Sequence, residues 1–208
     1  MSSTLPDETL MLIYRDGDIN AFKELYRRHS RGLYMFILWR SPRREWVDEI
    51  TQETWGSLHD ARARYIAQAS FRTYLFQIAR NKLIDQLRLH RRTLLASELG
   101  QSDEGDACFD DVVNAEQTVD TAEEKMDSKQ RLAWLNTAIK ALPNEQREAL
   151  ALQHFSGMSL EEIAQVTVTP VETVKSRLRY AMRKLRQLAE PIARSSTDAN
   201  AAEEIQHD

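Results

Sequence analysis

Residues 159–186 read SLEEIAQVTVTPVETVKSRLRYAMRKLR and contain two helix-start signals in close succession. Ser159 and Glu162 have the spacing of a capping box, in which each side chain accepts a hydrogen bond from the backbone amide of the other residue. Thr169 begins a second signal of the same form, with Pro170 in the first helical position. Two starts this close together predict a short helix, a tight turn and a second helix, which is the arrangement of a helix-turn-helix.

The two predicted helices have distinct faces. Four apolar residues fall where the helices would meet and form a shared core: Ile163, Val166, Val174 and Leu178. The exposed face of the second helix instead carries Lys175, Ser176, Arg179 and Tyr180. A recognition helix presents such groups to base edges and phosphates in the DNA major groove. The alternative is a plain helical hairpin with solvated basic residues. It does not explain why two helix-start signals precede a basic helix.

The composition of the 208-residue chain limits its fold class. Hydrophobic residues make up 42% and charged residues 29%, as in ordinary soluble proteins. Six glycines and five prolines are too few for a turn-rich β fold, so we expect an all-α chain. No apolar run is long enough to cross a membrane, and the polar N terminus is unlike a secretory signal. The single cysteine, Cys108, cannot pair within the chain, and we expect a cytoplasmic protein.

The charges are unevenly distributed. The net charge of −4 would by itself argue against a nucleic-acid partner. However, residues 62–92 contain eight basic residues and one acid, and residues 171–188 contain six basic residues and one acid. The segment 97–129 between them holds eleven acids and two lysines. Two basic stretches separated by an acidic one predict two contacts with a polyanion.

Apolar residues at spacings of three and four predict four helices in residues 8–92. Asp7, Asp18 and Ser70 are placed to cap three of these helices, and a loop over residues 61–69 precedes the last one. The last helix interleaves aromatic with basic side chains, the residue types that bind an opened DNA strand.

The helical pattern resumes at about residue 129, after a segment that is dense in Asp, Glu and Gly. We therefore expect two small helical modules in a chain of four parts: a first module at 8–92, an acidic flexible linker at 93–128, a helix-turn-helix module at 129–188 and a frayed polar tail at 189–208. An acidic surface helix over residues 114–129 remains the alternative for the end of the linker.

Three motifs resemble the extracytoplasmic-function sigma factors of bacterial RNA polymerase. The stretch 159–186 is similar to the promoter-binding C-terminal region of that family. DEITQETW at 48–55 is similar to its core-polymerase-binding helix, and FRTYLFQIARNKLIDQLR at 71–88 to its promoter-melting helix. The resemblance implies a factor that joins core polymerase, recognises the −35 and −10 promoter elements and helps to open the duplex. It also implies an anti-sigma partner and no catalytic activity.

The resemblance also implies a role for particular residues. Four would face the coiled coil of the largest polymerase subunit: Asp48, Glu49, Gln52 and Glu53. The polymerase flap would be a second docking point for the chain. Tyr65 and Asn81 would lie near the flipped-out base of the −10 element. The backbone there would contact Arg80, Lys82 and Arg88. The −35 element would meet Lys175, Ser176, Arg179 and Tyr180. The alternatives are a solvated face for the acidic residues and a core position for Tyr65.

The sequence departs from the family at the turn between the last two helices, where Val168 stands in place of the usual glycine. A β-branched residue with positive φ is costly, so we expect a rebuilt or strained turn.

Two other classes of protein compete with a sigma factor. A stand-alone helix-turn-helix regulator would explain residues 129–188 but not the basic, aromatic helix at 70–92. A DNA-processing enzyme would need a nucleophile with a partnered base, a phosphate-binding glycine loop or metal-ligand spacing, and we find none of these patterns. We therefore expect no cofactor and no metal.

Overall fold

The computed structural model describes residues 5–96 and 134–204, with side chains at 5–93 and 134–189. Its helices are α1 (Asp7–Arg15), α2 (Ile19–Arg40), α3 (Glu45–Ala61), α4 (Phe71–Ala96), α5 (134–140), α6 (Asn144–Ser156), α7 (Leu160–Thr167) and α8 (Val171–Glu204). A short 3-10 turn, Arg62–Arg64, follows α3. The described residues form no β strand, and the predicted all-α class is confirmed.

Side-chain caps begin two of the helices in the first module. Asp18 caps α2 and Ser70 caps α4, each by accepting a hydrogen bond from a first-turn amide, so both predicted caps are confirmed. The cap predicted at Asp7 is wrong. Asp7 is the first residue of α1, and its carboxylate accepts hydrogen bonds from Arg28 at 2.7 Å and His29 at 2.8 Å on α2. These side chains bind a carboxylate more strongly than a neutral amide would, and they fasten α1 to α2.

The second module contains the predicted helix-turn-helix, formed by α7 and α8. The Ser159 hydroxyl accepts from the Glu162 amide at 3.2 Å, and the Glu162 carboxylate accepts from the Ser159 amide at 2.9 Å, which confirms the capping box. The cap predicted at Thr169 is wrong: α8 begins at Val171, and the Thr169 hydroxyl pairs with the Thr167 hydroxyl at 2.9 Å. The predicted shared core is buried, at Ile163, Val166, Val174 and Leu178.

The two modules pack against each other. α2 lies along α6, α4 lies against α7, and the buried apolar side chains of both modules form one continuous core. The Trp39 ring meets the Phe155 ring edge-on, with centroids 4.5 Å apart. Gly32 on α2 approaches so closely that a Cβ there would lie 2.8 Å from the Phe155 carbonyl oxygen. The sequence predicts the modules but not their contact.

Two helices extend past the predicted boundaries of their modules. α4 continues to Ala96, so the linker predicted at 93–128 begins later than expected, and the rest of it lies outside the described residues. α8 continues through Pro191 to Glu204, where a frayed tail was predicted. The proline removes one backbone donor, but the alanines beyond it favour a helix. Within the described stretches, no helix combines the length and apolarity needed to cross a bilayer.

Candidate nucleic-acid interface

α3 presents an acidic face to solvent. The helical period places its polar residues opposite the buried Val47, Ile50 and Thr54, which pack into the module. All four predicted polymerase-binding residues are exposed: Asp48, Glu49, Gln52 and Glu53. The face is therefore free to meet a partner.

α4 presents polar and basic residues beside this acidic face. Asn81 and Arg88 are exposed, as a contact with DNA requires. The Lys82 Nζ lies 3.1 Å from a Glu53 carboxylate oxygen, so a residue assigned to DNA pairs with one assigned to polymerase. The acidic face of α3 and the basic face of α4 thus share an edge.

The loop between α3 and α4 lines a cavity of about 410 Å³ that is open to solvent. Tyr65 and Tyr74 form one wall, with ring centroids 5.2 Å apart. Tyr65 is only 4% exposed, and its burial, with Glu8 nearby, raises the pKa of its phenol to about 12. The neighbouring Ile66 is 70% exposed at the rim. Tyr65 is therefore a core residue that forms the inner wall of the cavity. Its exposed neighbour, Ile66, was not singled out from the sequence.

α8 brings three of its four predicted −35 residues onto one exposed face. Lys175 lies one helical turn before Arg179, and the Arg179 guanidinium sits 5.3 Å from the centroid of the Tyr180 ring. A hydrogen bond to the Glu172 carboxylate raises the pKa of Lys175. Ser176 is half-buried, and its hydroxyl donates to a backbone carbonyl one turn earlier. The face is basic and aromatic, as a groove-reading helix requires.

The turn before α8 is held in the left-handed conformation. Val168 has a φ of 54°, and among the described residues it is the only one other than glycine with a positive φ. Its side chain is 82% exposed, so no core contact compensates the strain. The Thr169 amide donates to the Ala164 carbonyl at 3.0 Å and closes the turn. The expectation of a strained turn is confirmed.

A buried ion pair between the modules was missed from the sequence. Glu148 on α6 is 2% exposed, and its carboxylate accepts a hydrogen bond from the Arg80 Nε at 3.1 Å. The Arg40 guanidinium lies 3.5 Å from the same oxygen. The sequence held a signal, since Glu148 falls on the apolar stripe of α6 at helical spacing with Leu152 and Phe155. Arg80 is therefore held within the protein in this conformation.

No group of three or more His, Cys, Asp or Glu side chains is arranged to bind a metal within the described parts of the chain. The site is instead three polar surfaces: the acidic face of α3, the basic face of α4 with its loop cavity, and the basic face of α8.

Comparison with known families assigns both modules. The family model described as sigma-70 region 2 matches residues 25–93, and the model described as sigma-70 region 4 matches residues 132–185. A sigma-E factor of Haemophilus influenzae described as an extracytoplasmic-function sigma factor is 26% identical over 197 residues, covering 92% of this chain and all of that one. The chain belongs to the extracytoplasmic-function sigma factors. The sigma-E factor of Escherichia coli is 27% identical over 194 residues, covering 93% of this chain and 100% of its own.

Solved structures share the fold of this sigma factor. CnrH, solved with the cytosolic domain of CnrY, aligns with a TM-score of 0.62 at 23% identity, over 89% of this chain and 97% of that one. The sigma factor RpoE of Bartonella quintana, solved with the anti-sigma factor NepR, aligns with a TM-score of 0.67 at 23% identity, over 81% of this chain and 96% of that one.

The sigma factor family accounts for both modules together. The chain is a promoter-recognising factor of RNA polymerase, and region 2 explains the basic, aromatic α4 that a stand-alone regulator leaves unexplained. Membership in the family does not assign the individual residues, which depend on the geometry of each surface.

Proposed function

We propose that the acidic face of α3 binds the coiled coil of the largest subunit of core polymerase. The residues are Asp48, Glu49, Gln52 and Glu53. The observation that carries this proposal is that all four are exposed on one helix, opposite a fully buried face. The alternative is that these residues only contact solvent. The acidic face adjoins the basic face of α4 through the Lys82–Glu53 ion pair, which favours a binding surface. Polymerase binding would therefore lie beside the DNA surface. The polymerase flap is proposed as a second docking point for the chain, to which no particular residue is assigned.

The basic face of α4 and the loop cavity are proposed to hold the opened −10 strand. Asn81 would donate to or accept from an unstacked base, and Arg80, Lys82 and Arg88 would contact phosphates. The cavity of about 410 Å³ suits an extruded base, with Tyr65 as part of its inner wall rather than as an exposed stacking surface. The exposed Ile66 would close over the base at the rim.

The exposed face of α8 is proposed to read the −35 element in the major groove. Lys175, Arg179 and Tyr180 face solvent near the start of α8, the end of a recognition helix that reaches base edges. Ser176 would contribute through its half-buried hydroxyl at the margin of this face.

The proposal gives the chain no catalysis of its own and a cytoplasmic site of action. It also includes an anti-sigma partner. The support is a relative of the same fold, RpoE of Bartonella quintana, which was solved with the anti-sigma factor NepR.

The polymerase assignment is tested by changing Gln52 and Glu53 together to Ala. We expect the double variant to lose binding to core polymerase in a pull-down, while its helicity and melting temperature stay close to those of the unaltered chain, because both side chains are exposed. Lys82→Ala is the matched control, since it also breaks the Lys82–Glu53 ion pair but leaves the acidic face intact. Retained binding in the double variant, or equal loss in the control, would contradict the assignment.

A further inference from the structure

The charged centre of the contact between the modules is Glu148. Its carboxylate is buried and meets two guanidinium groups of the first module, Arg80 at 3.1 Å and Arg40 at 3.5 Å. A buried carboxylate is stable only when such partners replace the water that it loses. Glu148 thus depends on the first module for both of its ionic partners.

The two arginines also depend on Glu148. Burial lowers the pKa of Arg40, the Glu148 carboxylate opposes that shift, and the nearby positive charge of Arg80 adds to it. Without the carboxylate, two like charges would face each other in a site shielded from solvent. The Arg80–Glu148 ion pair therefore contributes to the contact between the modules.

Further contacts between the modules cover the start of α4. The Arg72 guanidinium donates to the Ser156 and Gly157 carbonyls at 3.1 and 3.2 Å. The Ser70 hydroxyl donates to the Glu162 carboxylate of the capping box at 2.5 Å. By contrast, the −35 face of α8 stays exposed. The closed arrangement thus covers part of one DNA surface and leaves the other open.

The closed arrangement is too compact to occupy both promoter elements. The −35 and −10 elements are about 25 base pairs apart, on the order of 80 Å along the duplex. Residues 80–88 lie within about 27 Å of Ser70 along α4, and Ser70 touches Glu162 in the helix-turn-helix. Binding of both elements therefore requires the modules to separate.

We propose that Glu148 is an internal substitute for a DNA phosphate, which holds Arg80 while the modules are closed and gives it up to the −10 backbone when they part. This proposal rests on the proposed contact of Arg80 with that backbone. A free chain could then approach a −35 element through α8, whereas its grip on an opened strand would wait for separation of the modules.

Gly32→Ala tests the proposal without touching any charged group. The added Cβ would meet the Phe155 carbonyl oxygen at 2.8 Å, while alanine favours α2 itself more than glycine does. Glu148→Gln is the second variant and removes the charge that holds Arg80. Gly56→Ala in α3 is the matched control, because nothing lies within 4 Å of its added Cβ.

Two measurements on the full chain follow each variant. Energy transfer between dyes on Lys23→Cys and Gln187→Cys, in a Cys108→Ser background, reports separation of the modules. Anisotropy of a labelled single-stranded oligonucleotide of mixed sequence, titrated over a range of salt, reports phosphate contacts. We expect both variants to lower energy transfer and to steepen the log–log salt slope by about 0.7, the value for one phosphate on a single strand. The control should change neither.

Adding Arg80→Ala to Gly32→Ala should remove the gain in salt slope but not the loss of energy transfer. Two results together would overturn the internal substitute alone. Gly32→Ala would leave energy transfer and salt slope unchanged, and Arg80→Ala in the holoenzyme would still slow promoter opening. A gain in slope that survives Arg80→Ala would overturn both the substitute and the −10 backbone role of Arg80. If Glu148→Gln does not fold, Gly32→Ala still decides the question.

Discussion

The backbone of Val168 is strained, and no contact within the described chain compensates for this strain. Its φ of 54° costs a residue with a Cβ about 1–2 kcal/mol, and glycine in its place would lose about 0.5–1 kcal/mol in chain entropy. Because the side chain is 82% exposed, no packing would be lost. We therefore expect Val168→Gly to raise the free energy of unfolding by roughly 0.5–1 kcal/mol, measured by urea denaturation.

Val171→Gly serves as the control for this substitution. Val171 is the first residue of α8 and does not have a positive φ, so glycine there should only lower the stability of the chain through the entropy of the unfolded state. A lower stability for Val168→Gly than for the unaltered chain would mean that the valine is worth more in the turn than its conformation costs.

Asn81 is the residue that most directly separates binding from opening. It is exposed on α4, and its proposed partner is a base that has left the stack. Asn81→Ala in the holoenzyme should bind duplex promoter normally but open it about 10-fold more slowly, since a lost hydrogen bond of about 1.4 kcal/mol is a tenfold effect. Permanganate reactivity of the −10 thymines measures this opening. Normal permanganate reactivity in Asn81→Ala would show that Asn81 does not contact the unstacked −10 base.

At the scale of a helix, α8 divides into a part that reads bases and a part that attracts phosphate. Lys175 and Arg179 lie near its start, whereas Arg186 lies further along, where a recognition helix leaves the groove floor. We expect Lys175→Ala and Arg179→Ala each to lose about 1–3 kcal/mol of discrimination between a correct and a scrambled −35 element. Fluorescence titration with both duplexes measures it.

Arg186→Ala provides the contrast within the same helix. It should weaken binding to both duplexes equally and flatten the salt dependence by about one unit of log–log slope. If Arg186 proved specific and Arg179 uniform, α8 would be docked in the opposite direction.

The attachment of α1 to α2 should depend on pH. Burial raises the pKa of Asp7, but hydrogen bonds from His29 and Arg28 outweigh that effect and lower it below its ordinary value of 3.8. The stabilisation is therefore complete above pH 3.8 and is lost as the pH falls through the lower folded value. Asp7→Asn should cost about 1 kcal/mol at neutral pH, after allowance for solvent screening, and progressively less in acid.

Urea unfolding followed by tryptophan fluorescence measures this difference. Asp16→Asn is the control, because its carboxylate is 69% exposed and pairs only with the adjacent Arg15 among the described ion pairs. A cost for Asp7→Asn that stays constant into acid would show that its carboxylate is not the source of the stability.

For the whole molecule, the sequence predicts the structural features that depend on residues close together in the chain. Helical spacing and local caps such as Asp18 and the Ser159–Glu162 box depend on residues within a few positions, and these predictions are confirmed. The caps at Asp7 and Thr169 failed because another side chain competed for the same atom. The Arg80–Glu148 pair joins residues far apart in sequence, so local pattern offers only the hint of an acid on an apolar stripe.

Gly32 limits how chains of this kind can recombine. Its hydrogen leaves just enough room for the Phe155 carbonyl oxygen of the other module. A first module carrying a larger residue at this position, joined by gene fusion to this second module, would keep both DNA-contacting helices yet lose the fit between its halves. Such a hybrid would keep its promoter preference, but its two modules would not stay closed before it binds polymerase. The halves are therefore expected to be inherited as a matched pair, with residue 32 among the positions that decide compatibility.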